Sequence, residues 1–166
     1  AGADPADPTT LDAPVPDYLS GLGAPICGLR IGVDAAMILD GTAGETAEML
    51  KEVIAVYTSL GAEIVPVTFP YDPDTNQHWT ALCGIEVLLA HADTWPAQKS
   101  EYGPVLTDLL SYGEGLSASE VGEALQWRLI YNGKVSRMME PVDVLLLPIT
   151  GAPMPELDNE IGNPSG

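Results

Sequence analysis

Two rhythms of apolar positions run along the chain. Leu29-Arg30-Ile31-Gly32-Val33 and Glu63-Ile64-Val65-Pro66-Val67 are short β-prone runs. Between them Met49, Leu50, Val53, Ile54, Val56, Tyr57 and Leu60 recur at helical spacing as a wide stripe. Thr42 with Glu45 three residues on has the form of a capping box, and Gly61 suits the C′ position that ends a helix. Strand, helix of about five turns and strand make a βαβ unit with parallel strands and a right-handed crossover. Pro66 removes a ladder donor, so its strand is expected at a sheet edge or ending there. A third run, Val142 to Leu147, is almost continuously apolar and predicts a strand covered on both faces, the candidate for the centre of the sheet.

Two further helices fit between Phe69 and Pro141. One starts near Asp74 or Thr75, places Trp79, Leu82, Cys83, Ile85, Glu86 and Leu89 on adjoining positions, and fades before Pro96. The other opens with Ser117 and Glu120, a second capping box, and runs through Val121, Ala124, Leu125 and Leu129 toward Met138. A short helical segment, Val105 to Leu110, precedes it. The beginning is different. Pro5, Pro8, Pro14, Pro16 and Pro25 rule out a helix or inner strand and predict an extended strap. After Pro148 a run of prolines and glycines breaks any regular element. The organisation expected is α/β: one partial domain of 1–166, with a strap (1–28), a βαβ unit (29–68), helices (69–140), and a buried strand with an irregular loop (141–166).

Composition narrows the function classes. Six Lys and Arg stand against 24 Asp and Glu, and a formal charge of −18 repels phosphate backbones and anionic lipid, so neither nucleic acid nor membrane is an expected partner. Cys27 and Cys83 form no CxxC pair and no zinc spacing with His78 or His91, and read as free, mostly buried thiols. No apolar run approaches the ~20 residues of a membrane span, and no leader-like segment opens the sequence. A cytoplasmic protein without metal or cofactor is the expectation.

Chemistry is sparse. No serine stands in a GxSxG turn, and Gly28, Gly32, Gly41 and Gly44 make neither GxGxxG nor a Walker loop. Trp79, Cys83 and Glu86 share one helical face by i, i+4, i+7 spacing, and Glu86 among Leu82, Ile85 and Leu89 is a carboxylate that needs a partner. That face reads either as a core tryptophan beside a peripheral glutamate or as one wall of a pocket. His91, near the end of the same helix, suits a position beside the negative end of its dipole.

Taken in order, the motifs resemble the amidase-signature family. Gly2-Ala3-Asp4-Pro5-Ala6-Asp7-Pro8-Thr9-Thr10 is similar to the strap "G-x-D-P-x-D-P/S-T-S" that follows that family's catalytic segment. Gly28 to Val33, the "L-G-A-x-V-x-x-V"-like Leu60 to Val67, Glu86 to His91, Tyr102-Gly103-Pro104 and Val142 to Pro148 follow in the family's order. The likeness runs from Ala1 to about Pro155.

The resemblance implies part of the family's mixed-sheet fold, and an enzyme cleaving amide, and also ester or carbamate, bonds. Its lysine, cis-serine and nucleophilic serine are expected N-terminal to Ala1, in a segment of the same protein. No position of this chain receives a catalytic role. The resemblance does imply substrate-channel residues: Trp79, Cys83, Glu86, Ile149 and Thr150. Leu147 and Ile149 flank Pro148 where family members carry threonines, and the segment after Glu86 lacks the "R-x-D-G-x-x-Y-G" run of the tRNA-dependent amidotransferases. A stand-alone amidase acting on a small molecule is therefore expected, and a homodimer is compatible with it. The rival reading, a non-catalytic α/β small-molecule binding module, rests on the βαβ unit alone.

Overall fold

The computed structural model describes residues 2–7, 9–42 and 44–149. Three parallel strands form its sheet: β1 (Arg30–Val33), β2 (Glu63–Pro66) and β3 (Val144–Leu146), in the order β2-β1-β3. Ile31 pairs with Ile64 on one side and with Val144 on the other. The βαβ unit is therefore present, and β2 lies at an edge and ends at Pro66, as the missing ladder donor requires.

The centre of the sheet belongs to β1, not to the apolar Val142–Leu147 run. Ile31 and Val33 are buried, while among the described residues β3 pairs on one side only, and Val144 and Leu147 are more than two-fifths exposed. Two features bring β3 against β1. Gly32 has no side chain where a Cβ would come within 3.1 Å of Leu145 and 3.3 Å of Val142, so those residues seat on the strand. The guanidinium of Arg30 donates to both carboxylate oxygens of Asp143, from Nη2 at 2.7 Å and Nε at 3.2 Å. The Arg30 backbone N–H adds a bond at 2.9 Å, and the Asp143 N–H returns one to the Arg30 carbonyl. These bonds hold the Asp143 carboxyl below its usual range and raise the Arg30 guanidinium above its own.

Between β1 and β2 the chain makes two helices, α1 (Ala35–Asp40) and α2 (Gly44–Ser59). The Thr42–Glu45 capping box does not form. Thr42 Oγ1 instead donates to the Ile38 carbonyl at 2.6 Å, committing it to the end of α1, and α2 starts beyond it. The other end of α2 follows expectation: Gly61 takes a positive φ of 89°. Ala62 N–H then reaches the Tyr57 carbonyl and Gly61 N–H the Thr58 carbonyl, the two bonds of a Schellman stop. Leu50 is buried with Ile31, Val33, Ile38 and Ala62, and Ile54 and Tyr57 pack on this core. The stripe is wider than the sheet can cover, so Met49, Val56 and Leu60 are exposed.

The second layer is helical: α3 (Thr75–Ala90), α4 (Pro104–Gly115) and α5 (Ala118–Met139). Pro104 opens α4, where its missing N–H costs no helical bond, and the helix runs past the expected Leu110. Ser117 and Glu120 form the predicted capping box of α5, with Ser117 N–H to Glu120 Oε2 at 2.7 Å and Glu120 N–H to Ser117 Oγ at 3.2 Å. Ala81 and Leu82 of α3 meet Ala124 of α5, with Leu116 and Trp127 around them.

Helices α3 and α4 touch backbone to backbone. A Cβ on Gly113 would sit 2.4 Å from the Gly84 carbonyl oxygen, and one on Gly84 would sit 3.2 Å from the Gly113 Cα. Only glycines permit this approach. Gly113→Ala is expected to lower stability by about 1–3 kcal/mol through overpacking, despite the ~1 kcal/mol that alanine gains over glycine in a helix. Gly122→Ala, at an α5 position with open space around it, should be neutral or stabilising. Urea unfolding of the two variants checks the contrast; equal effects would show that the close contact is not limiting.

Candidate functional site

Trp79, Cys83 and Glu86 lie along one face of α3, as their spacing predicts, but not in the core. Trp79 is 61% exposed, and α3 buries Ala81, Leu82 and Gly84 instead. Glu86 has the partner that its apolar neighbours call for: Arg128 of α5 donates to its Oε1 at 2.8 Å. Both side chains are well exposed, so this pair sets helix register more than stability. Ile149 stands fully exposed beyond β3. Thr150 lies outside the described residues. Among those residues, no hydrogen bond, ring stack or cleft joins Ile149 to the α3 trio. Cys83 is half-buried and Cys27 is exposed, not buried, and both are free thiols.

The histidines are structural neighbours of aromatic rings. His91 is the C-cap of α3, and its Nδ1 is 3.0 Å from the Tyr102 hydroxyl, which also meets Thr94 Oγ1. His78 stacks on Trp127, ring centres 5.4 Å apart.

Sequence reasoning missed a better-defined site. At the carboxyl ends of β1 and β2 a cleft opens between the sheet and the helices, lined by Met37, Phe69, Tyr71, Asp72, Pro73, Thr75, Asn76 and Tyr131. The chain leaves β1 toward β2 on one side and returns to β3 on the other, so this is the switch point where open α/β sheets place ligands.

Two carboxylates hold the walls. Asp34, buried at the end of β1, accepts from Met37 N–H at 3.1 Å as the N-cap of α1 and from Phe69 N–H at 2.7 Å. The Phe69 bond is the main cause holding its carboxyl below the ordinary range, against the opposing effect of burial. Asp72 accepts from Asp74 N–H at 3.1 Å and from Trp127 Nε1 at 3.3 Å, with Lys134 Nζ at 3.5 Å. The Asp74 bond leads in keeping Asp72 below the ordinary range. Tyr131 stacks on Trp127 at 4.9 Å, and burial, then the charge of Asp72, raises its phenol.

The available signal for Asp34 was an aspartate immediately after a strand and before Ala-Ala-Met-Ile, the N-cap pattern of a short helix. Nothing local marked Asp72 or Tyr131, whose partners are remote in sequence.

The parallel sheet with its flanking helices defines an α/β protein, and solved amidases share its fold. With a solved amidase the TM-score is 0.70 at 22% identity, covering 81% of this chain and 31% of that one. With a vestigial protein complex described as revealing the origins of an s-triazine catabolic enzyme it is 0.72 at 24%, covering 96% and 34%. With a bacterial aryl acylamidase of the amidase-signature enzymes it is 0.67 at 17%, covering 92% and 34%.

In sequence, AmiD of Mycobacterium tuberculosis (strain ATCC 25618 / H37Rv) is 32% identical over 162 residues, 98% of this chain and 34% of AmiD. The amidase of Pseudomonas putida is 30% identical over 161 residues, 97% of this chain and 34% of that enzyme. A glutamyl-tRNA(Gln) amidotransferase polypeptide of Trichlorobacter lovleyi is 42% identical over 71 residues, 43% of this chain and 15% of that relative. No family model matches. Along nearly its whole length the chain is therefore similar in sequence to amidases, and in fold to a solved member of the amidase-signature enzymes. It spans about a third of the length of the AmiD and Pseudomonas relatives.

The Asp34 bonds carry a pH dependence with a definite sign. A carboxyl lowered in the folded state stabilises the fold above the ordinary aspartate value, about 3.9, and loses that contribution as pH falls through the lowered value. Asp34→Ala should therefore cost about 1–3 kcal/mol at neutral pH, removing a cap and leaving two N–H groups without their acceptor. The gap between variant and parent should narrow as the pH approaches 3. Urea unfolding from pH 7 to pH 3 measures it, and a gap that widens on acidification refutes the assignment.

Proposed function

We propose that this chain is part of an amidase that hydrolyses amide bonds, and ester or carbamate bonds by the same route, through a serine–cis-serine–lysine acyl-enzyme mechanism. The observation that carries the reading is the match, at 30% identity along 97% of the chain, to the amidase of Pseudomonas putida. In this scheme the lysine takes the nucleophile's proton through the cis-serine, and the serine attacks the carbonyl while N–H donors hold the oxyanion. These groups lie on polypeptide N-terminal to Ala1.

This chain then contributes walls, with 1–28 as strap, 29–68 as βαβ unit, 69–140 as helices and 141–166 as strand and loop. Trp79, Cys83, Glu86, Ile149 and Thr150 line the substrate channel. The exposure of Trp79 supports that role, since an indole on a helix surface is available to a ligand or to covering polypeptide. So does the exposed apolar surface of Leu11, Tyr18, Leu19, Leu22, Leu125 and Leu129. The substrate is a small molecule and the location cytoplasmic. Among the described residues no helix is long and apolar enough to cross a membrane. The missing amidotransferase run after Glu86 favours a stand-alone enzyme.

The chain of 166 residues alone should show no turnover of an aryl amide or aryl ester. The same chain extended at its N-terminus to the relatives' length should hydrolyse the aryl amide and lose activity when an added serine of the Gly/Ser-rich segment is replaced by alanine. Turnover by the unextended chain that disappears on replacing one of its own serines would overturn the proposal.

A further inference from the structure

The cleft at the carboxyl edge of the sheet carries an inference that does not depend on amide hydrolysis. Its walls combine three aromatic rings, Phe69, Tyr71 and Tyr131, with the thioether of Met37 and the carboxylate of Asp72. We propose that this cleft is a binding site for a small organic ammonium ion, with Asp72 as the counter-charge and the Phe69, Tyr71 and Tyr131 rings as the walls that take its carbon skeleton.

Three observations support it. Most of the walls are pinned before any ligand arrives: Asp34 fixes Met37 and Phe69 by their N–H groups, Trp127 and Asp74 fix Asp72, and Trp127 backs the Tyr131 ring, while the Tyr71 ring, 85% exposed, forms the outer rim. Preorganised walls spare a ligand the ordering cost that weakens most small-molecule binding. The charge sign is also right. Asp72 is the only charged group among the lining residues, its side chain is largely shielded from water at 17% exposure, and the chain as a whole carries −18. An ammonium between a carboxylate and aromatic faces gains Coulomb attraction and cation–π attraction together, in a setting with less water than an exposed site. Finally, the cleft is small, about 220 Å³, below the ~300–1,000 Å³ of sites for drug-sized ligands, a size that suits a one-ring or aliphatic amine.

Lys134 is the built-in competitor. Its ammonium stands 3.5 Å from Asp72 Oδ2, so the site already demonstrates its preference for a cation of that type. A longer separation than a close ion pair, on a flexible stem, makes Lys134 displaceable. It also gives the proposal a test in the direction of gain.

The experiment is titration of the chain with benzylammonium and, separately, with the neutral isostere benzyl alcohol, read by chemical shifts of the Trp127 indole N–H and of the Phe69 and Tyr131 rings. Benzylammonium should bind, more weakly as salt rises, and benzyl alcohol at least about tenfold less tightly, the factor expected for one charge-assisted hydrogen bond. Asp72→Asn removes the charge and keeps one of the two oxygens that accept from Asp74 and Trp127, and should lose about tenfold of the ammonium affinity. Lys134→Gln should tighten it. Equal binding of the two compounds, unchanged affinity in Asp72→Asn with circular dichroism matching the parent, weaker binding in Lys134→Gln, or no binding by the parent would each overturn the proposal.

Discussion

One buried carboxylate joins the two layers of this chain. Asp34 closes the central strand, starts α1 through Met37 and holds Phe69, the residue at which the chain leaves β2 for the helical layer. Both of its oxygens are engaged, so removing it leaves two N–H donors without their acceptor at the junction of sheet and helices. The cleft follows from this arrangement. Met37 and Phe69 face it because one side chain fixes their backbones, and Asp72 enters it because the chain downstream of Phe69 is then steered toward Trp127.

The elements that were legible in the sequence are those whose determinants are local. The βαβ unit was readable because alternation, stripe and Gly61 lie within one continuous segment, and the same holds for the Ser117–Glu120 box of α5. Position in the sheet was not. An unbroken apolar run speaks for covered faces and says nothing of a strand's order in the sheet, and β3 has one described neighbour. Its Leu145, with Val142 just before the strand, is matched to Gly32 of β1. Thr42 failed for a related reason: a hydroxyl four residues after Ile38 can bond back to a carbonyl as readily as it can cap forward, and the short α1 was not anticipated.

The site was less legible than the fold. Spacing correctly placed Trp79, Cys83 and Glu86 on one face but could not tell which way that face turns. The decisive contact is Gly84 against Gly113, a pairing between helices that draws the glycine side of α3 inward and leaves Trp79 outside. Likewise Glu86 required a partner, and Arg128, 42 residues away, supplied it. Six of the cleft's eight lining residues lie within 69–76, in the β2–α3 loop and the first turn of α3, but Met37 of α1 and Tyr131 of α5 are remote from them in sequence, so no motif joins the walls.

Exposure at these surfaces bears on the proposed role in a longer amidase. Leu11, Val15, Tyr18, Leu19 and Leu22 of the strap are all at least half exposed, as are Met49 and Val56 of α2 and Leu129 of α5. Single exposed apolar residues need no explanation, but the strap carries five of them within twelve positions, a run of apolar side chains available to covering polypeptide. The cleft is unlike these faces. Its apolar groups are interleaved with a shielded carboxylate, and its backbone is tied by hydrogen bonds on both sides, which is the pattern of a surface shaped for a small ligand and not for burial under more polypeptide.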